Sequence, residues 1–208
     1  MGRSEVQKVG ARGLLEEVTV STIAEPRLMT TEELLALPED GVDRELIRGV
    51  LRARPMTRRN RWHSTVESRL VLFLGTWLNG RPEPRGEIVS GEAGFVLRRD
   101  PDSNVGIDVA YVSPEVAAAE PSSPYFEGPP VLAVEILSPS DTQEDIDEKI
   151  QLYLETGVAV VWIINAKFRT VTAYRPDAEP IMFSGDQELT AEPHLPGFRV
   201  RLGEVFGR

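Results

Sequence analysis

The sequence predicts an α/β (α+β) protein, and three observations predict it. Apolar runs bounded by turn residues, "GIDVAYV", "VLAVEILSPSD" and "VAVVWIIN", read as buried strands. Between them lie two stretches with helical spacing, "WHSTVESRLVLFLGTWLNG" and "DTQEDIDEKIQLYLETG". A chain of 208 residues with 41% hydrophobic and 27% charged content is large enough to bury one core without staples, and no internal repeat divides it.

Residues 1–26 show no sustained period and end at "EP", so they are expected to form an arm, flexible or packed on a partner chain, ahead of a single domain over 27–208. "TTEELLALPED" reads as a short helix capped by Thr30 or Thr31 and stopped by Pro38. "RELIRGVLRARP" alternates like one strand, with Glu45, Ile47, Gly49, Leu51 and Ala53 on one side and Arg44, Arg48, Arg52 and Arg54 on the other. The helix that follows carries Val66, Leu70, Phe73, Leu74 and Trp77 on one stripe and ends at Gly80.

"EIVSGEAGFVLRRD" reads as a hairpin or two short strands, and "GIDVAYV" as a further strand. A proline-rich, acidic loop over 113–130 leads to "VLAVEIL". The second long helix is expected to start at a Ser140 cap, with Gln143 three residues on, and to end at Gly157; its stripe is Ile146, Ile150, Tyr153 and Leu154. "VAVVWIIN" and "FRTVTAY" are joined by a turn at Ala166 and Lys167, and the tail reads as short strands with a terminal turn.

Composition narrows the chemistry. There is no cysteine, so any metal must be held by carboxylates, histidines or carbonyls. No apolar run approaches the ~20 residues of a membrane span, and "EE" interrupts the N-terminal apolar stretch where a signal peptide would be continuous. A soluble cytoplasmic protein is expected.

The formal charge of −10 argues against nucleic acid as a partner, but its distribution argues the other way. From Arg44 to Arg61, seven arginines face one acid, Glu45, a local charge of +6. Arg48, Arg52, Arg54, Arg58, Arg59 and Arg61 are therefore candidate phosphate contacts; the alternative is a basic face that only offsets acidic neighbours.

Three carboxylates sit in otherwise apolar strands: Glu45, Asp108 and Glu135. Burying a lone charge costs several kcal/mol or more, so each must be paired, protonated or metal-bound. Lys149 lies on or beside the buried stripe of its helix; alone, a pair with Asp145 or a stem snorkelling to water accounts for it. One ion pair would satisfy one acid and leave two. A hard divalent cation, Mg²⁺ or Mn²⁺, together with the lysine accounts for all four residues.

The order "RELIRGVL", a histidine opening a helix, "GIDVAYV", "VEILSPSD", "EKIQLYLETGV" and "VVWIIN" resembles the Uma-type restriction endonuclease family of the PD-(D/E)XK nuclease superfamily, over roughly residues 28–176. The resemblance implies a restriction-endonuclease-like core, a mixed sheet flanked by helices. It also implies an Mg²⁺- or Mn²⁺-dependent endonuclease acting on DNA. Asp108, Glu135 and the Ile136 carbonyl would hold the metal, and Glu45 would complete the acidic cluster. Ile107 stands where the motif's proline is usual, and Leu137 where its lysine is expected; Lys149 of the next helix would take the lysine's role.

His63 and Tyr153 stay outside the expected catalytic set. The first suits a helix start or, since the resembled family has a histidine near this point, a phosphate contact or site edge; the second suits a core stripe from which its hydroxyl could reach a site carboxylate. Ser138 and Ser140 suit turn and cap chemistry, with no histidine motif to make either a nucleophile. A homodimer is expected because two strands suit two sites. Other classes remain open: a non-catalytic nucleic-acid or protein-binding module with a structural acid–lysine cluster, and a carboxylate hydrolase such as a glycosidase, in which the lysine has no required place.

Overall fold

The computed structural model describes residues 27–120 and 123–207. The expected arm over 1–26 lies outside the described residues.

Helix α1 (Thr31–Leu35) opens with a capping box between Thr30 and Glu33. The segment read as one strand is a hairpin, β1 (Val42–Ile47) and β2 (Val50–Pro55). Its two-residue turn has φ of 51° at Arg48 and 78° at Gly49, the left-handed pair that matches the twist of flanking strands. The turn reverses the expected facing. Glu45 lies opposite Arg52, and Asp43 opposite Arg54, so these arginines share the face of Glu45.

Helix α2 (Arg61–Asn79) is capped by Asn60 and stopped at Gly80. The stretch expected as a hairpin is one long strand, β3 (Glu87–Arg98), paired along β4 (Ser103–Val112). A bulge between Ser90 and Ala93 takes up the irregularity that suggested a turn. The acidic loop contains α3 (Pro114–Ala117) and β5 (Phe126–Glu127) before β6 (Leu132–Ile136).

Helix α4 (Gln143–Thr156) starts at Thr142, not Ser140. Thr142 and Asp145 form the capping box, while the Ser140 hydroxyl bonds Ser138 and is spent in the turn. Gly157 ends α4 in the left-handed conformation, as expected. Strands β7 (Val160–Asn165) and β8 (Thr170–Tyr174) follow, joined by a four-residue turn rather than a two-residue one. The chain closes with β9 (Ile181–Phe183), β10 (Glu188–Thr190), β11 (Arg199–Arg201) and α5 (Leu202–Phe206).

Among the described residues, nine strands form one mixed sheet, whose main path runs β2-β1-β4-β6-β7-β8-β9, and only β6–β7 and β3–β5 pair in parallel. Helix α4 makes the crossover that β6–β7 requires. One face packs Val66, Leu70 and Leu74 of α2 on Val109, Val134 and Trp162. The other packs Ile150, Leu152 and Tyr153 of α4 on Ile107, Ala133 and Val161. Among the described residues, no helix is long and apolar enough to cross a membrane.

The sheet forks at β4. Strand β3 occupies one edge of β4 from Ser103 to Val112. The other edge is shared: β1 meets it at Asn104, β6 meets it from Val109 to Tyr111, and residues 105–108 lie in the gap.

Candidate active site

The fork leaves backbone groups of β4 without a strand partner, and side chains take their place. The Gly106 amide donates to Glu45 Oε1 at 3.0 Å, and its carbonyl accepts from Lys149 Nζ at 3.4 Å. Two residues on, Asp108 Oδ2 accepts from the Ile136 amide at 2.7 Å. These bonds bring β1, β4, β6 and α4 to one point, and three of the expected acids with Lys149 stand around it.

Lys149 Nζ lies 2.9 Å from Glu45 Oε1 and 3.4 Å from Glu135 Oε1, with only 19% of its side chain exposed. Asp145 does not pair with it, because that carboxylate caps Thr142 and meets Arg54 at 2.8 Å. Burial works against the Lys149 charge, but Glu135 and Glu45 outweigh it and hold its pKa well above the ordinary lysine value. The group is an ammonium throughout the physiological range, able to donate and to offset negative charge but not to accept a proton.

Glu135 is the titratable member. Burial, with Asp108 and Glu45 nearby, pushes its carboxyl up to about 7 against the opposing pull of Lys149 and the Tyr153 hydroxyl. Tyr153, fully buried, donates to Glu135 Oε1, the same oxygen that faces Lys149. Its ring belongs to the core, as expected, and its hydroxyl belongs to the site.

His63 also enters the site, although sequence reasoning left it out. Its Nε2 lies 3.2 Å from Asp108 Oδ2, and its buried Nδ1 has no hydrogen bond and faces Glu67 at 3.6 Å. The signal was present: His63 begins the stripe continued by Val66, Leu70 and Leu74, so it had to point inward. A second omission is Glu92, in the β3 bulge at φ 61°, which meets Arg59 beside Asp108. The bulge that aims it leaves no periodic trace in the sequence.

Among the described residues, no group of three or more His, Asp or Glu side chains is arranged to hold a metal. Glu45 stands at the edge of the cluster with its Oε1 held by Lys149 and the Gly106 amide. The Ile136 peptide bonds Asp108 through its N–H.

Asp108 and Glu135 fit a hard cation better. Each has one oxygen held by the protein, Oδ2 by Ile136 and His63 and Oε1 by Tyr153 and Lys149. The second oxygens are less committed: Asp108 Oδ1 has only Arg59, at 3.8 Å, and Glu135 Oε2 has no hydrogen-bond partner among the described residues. Two carboxylate oxygens with water and phosphate oxygens form a donor set that Mg²⁺ accepts.

The expected arginine surface is divided. Arg48 pairs with Glu155 at 2.8 Å, Arg52 grips Glu148 with contacts of 2.8 and 3.3 Å, and Arg54 reaches Asp141 and Asp145. These three bind the hairpin to α4, because the hairpin's turn places Arg52 and Arg54 on the inward face. Arg58, Arg59 and Arg61 sit instead on the segment entering α2. Arg59 faces Asp108, Arg61 stacks on Trp62 with its guanidinium 4.4 Å from the ring centre, and Arg58 makes no ion pair among the described residues.

Comparison with known proteins bears on this arrangement. A model of the Uma2 family, described as "Putative restriction endonuclease", matches residues 31–203. The chain belongs to the Uma2 family. The resemblance read in "VEILSPSD" and "EKIQLYLETGV" is borne out at that level. A crystal structure described as "a putative nuclease belonging to DUF820", from Anabaena variabilis ATCC 29413, is similar to this Uma2 chain with a TM-score of 0.70 and 22% identity. The match covers 86% of this chain and 97% of that one, and it bears out the mixed sheet flanked by helices. No curated protein matches.

Proposed function

We propose that this Uma2 protein is an endonuclease that hydrolyses DNA phosphodiester bonds with Mg²⁺ or Mn²⁺ bound by Asp108 and Glu135. The observation that carries the reading is the state of these two acids. On neighbouring strands, each has one oxygen pinned by in-chain donors and the other less committed, beside a permanent ammonium.

The bound cation would polarise a phosphate oxygen and lower the pKa of a coordinated water. The chain's own groups do the rest. Lys149 offsets the negative charge that grows on the phosphate and orients a water by donating to it. Tyr153 fixes the rotamer of Glu135, and His63 with the Ile136 amide fixes that of Asp108. Arg58, Arg59 and Arg61 sit beside the site where flanking phosphates would lie. Glu45 acts through Lys149, holding the ammonium in place. Two copies related by a two-fold axis would cut both strands; sedimentation of the full chain with and without duplex tests this.

A second reading is favoured by one fact: Lys149 already pairs with two of the acids without any metal. On that reading the cluster is structural and the chain a binding module. Calorimetric titration with Mn²⁺ and plasmid nicking in Mg²⁺, on wild type, Asp108→Ala, Glu135→Ala and Lys149→Ala, separate the two. The nuclease reading expects cation binding lost in both acid variants and nicking reduced about a hundredfold or more in all three. Wild type that neither binds the cation nor nicks DNA leaves the binding module.

A further inference from the structure

A cleft of about 830 Å³ opens beside the candidate site and is used by none of the chemistry above. It shares Leu137, Asp141 and Ile146 with the pocket that holds Glu135 and Lys149, so the two adjoin. Its walls carry Trp62, Leu137, Ile146 and Phe206, with Lys167 and Arg169 at the turn between β7 and β8. Trp62 is 54% exposed, although its neighbour His63 is buried against Asp108. At the same turn Phe168 is 69% exposed, with Lys167 Nζ 5.5 Å from its ring centre.

Arg61 covers part of the Trp62 ring, and the rest of that ring is open to water beside the cleft, where a further planar group can stack. A base-paired duplex presents phosphates outside and hides the faces of its bases, so it would meet the arginines and leave the rings unused. Unpaired bases show π faces to any aromatic, and their phosphates suit a flanking lysine and arginine. Asp141, the acid lining this cleft, is partnered by Arg54. Drawing a paired base from a duplex costs a few kcal/mol, a cost absent where the strand is already open.

We infer that the cleft beside Trp62 binds a single-stranded DNA segment next to the scissile phosphate, so that the substrate class is DNA with unpaired nucleotides. The substrate assignment rests on the nuclease reading; the binding does not.

The test is fluorescence anisotropy of the full chain with labelled oligothymidine and with a blunt duplex of equal length, without divalent cation. Oligothymidine should bind about tenfold tighter than the duplex. Trp62→Ala should weaken oligothymidine binding about fivefold or more and leave duplex binding unchanged. Tryptophan emission should be quenched on binding, and Trp62→Phe should keep the affinity while losing that quench. The Trp62 side chain is solvent-exposed, so the fold does not depend on it.

Equal affinity for the two forms, no binding of either, or an equal loss for both in Trp62→Ala overturns the inference. Oligothymidine binding that depends on Trp62, with no cleavage of any DNA, overturns the nuclease reading and leaves the cleft standing. Cleavage of blunt duplex as fast as that of single-stranded DNA overturns the substrate assignment and leaves the nuclease reading standing.

Discussion

Glu135 sets the pH behaviour of the site. Its ordinary value is 4.5 and its folded value about 7, raised chiefly by burial. Between those values the folded chain keeps a proton that the unfolded chain has released. Stability from this residue is therefore full below 4.5, falls as pH rises through about 7, and is level above. Cation binding must displace the same proton, so Mn²⁺ affinity should climb as pH rises through about 7 and then plateau. Urea unfolding and Mn²⁺ titration across pH check both trends, and Glu135→Gln should flatten the first and abolish binding. A wild-type affinity that does not change with pH would mean that Glu135 is no ligand. At this scale the sequence was informative about the acids, because charge inside an apolar strand is conspicuous. It was poor on His63 and Tyr153, because a polar atom on a core residue shows its role only when its neighbour is known.

At the scale of elements, the hairpin is the part the sequence misstated. Alternation in "RELIRGVLRARP" is compatible with one strand or with two strands and a two-residue turn, and only the φ values of Arg48 and Gly49 distinguish them. The consequence is chemical. The fold turns Arg52 and Arg54 toward the acids of α4 instead of presenting one basic surface. Both Gly49 and Gly157 have positive φ, but their surroundings differ. A Cβ at Gly157 would stand 3.6 Å from Pro129 Cγ, an ordinary contact, whereas one at Gly49 would stand 2.9 Å from Leu28 Cβ. Gly157→Ala should cost about 1 kcal/mol from backbone conformation alone, and Gly49→Ala distinctly more. Urea midpoints of the two variants would decide it, and equal losses would refute the steric account. The α2 and α4 boundaries were readable to within a few residues, since caps and glycine stops are local. The cap moved from Ser140 to Thr142 because Ser138, Ser140 and Asp141 satisfy one another in the preceding turn.

For the whole molecule, a net charge of −10 and the proposed DNA substrate are reconciled by position. The surplus of acid is spread over the chain, while Arg58, Arg59 and Arg61 gather beside the site. Duplex affinity should fall steeply with salt, and each of Arg58→Ala and Arg61→Ala should lower the slope of log K against log salt by about 1. Arg48→Ala, Arg52→Ala and Arg59→Ala should leave the slope unchanged, because Glu155, Glu148 and Glu92 already hold those charges. If all five variants lower it alike, these ion pairs open when DNA binds.

The sequence by itself determined the family, the order of strands and long helices, and the suspicion attached to Glu45, Asp108, Glu135 and Lys149. Each of these is carried by residue type, local periodicity or a contiguous motif. Only the tertiary structure decided that β4 divides its edge between β1 and β6. That gap leaves Gly106 without a strand partner on that edge and draws Glu45 and Lys149 to its backbone. The pairing of distant strands depends on how the whole sheet packs between two helical layers, and no local stretch of the chain encodes it.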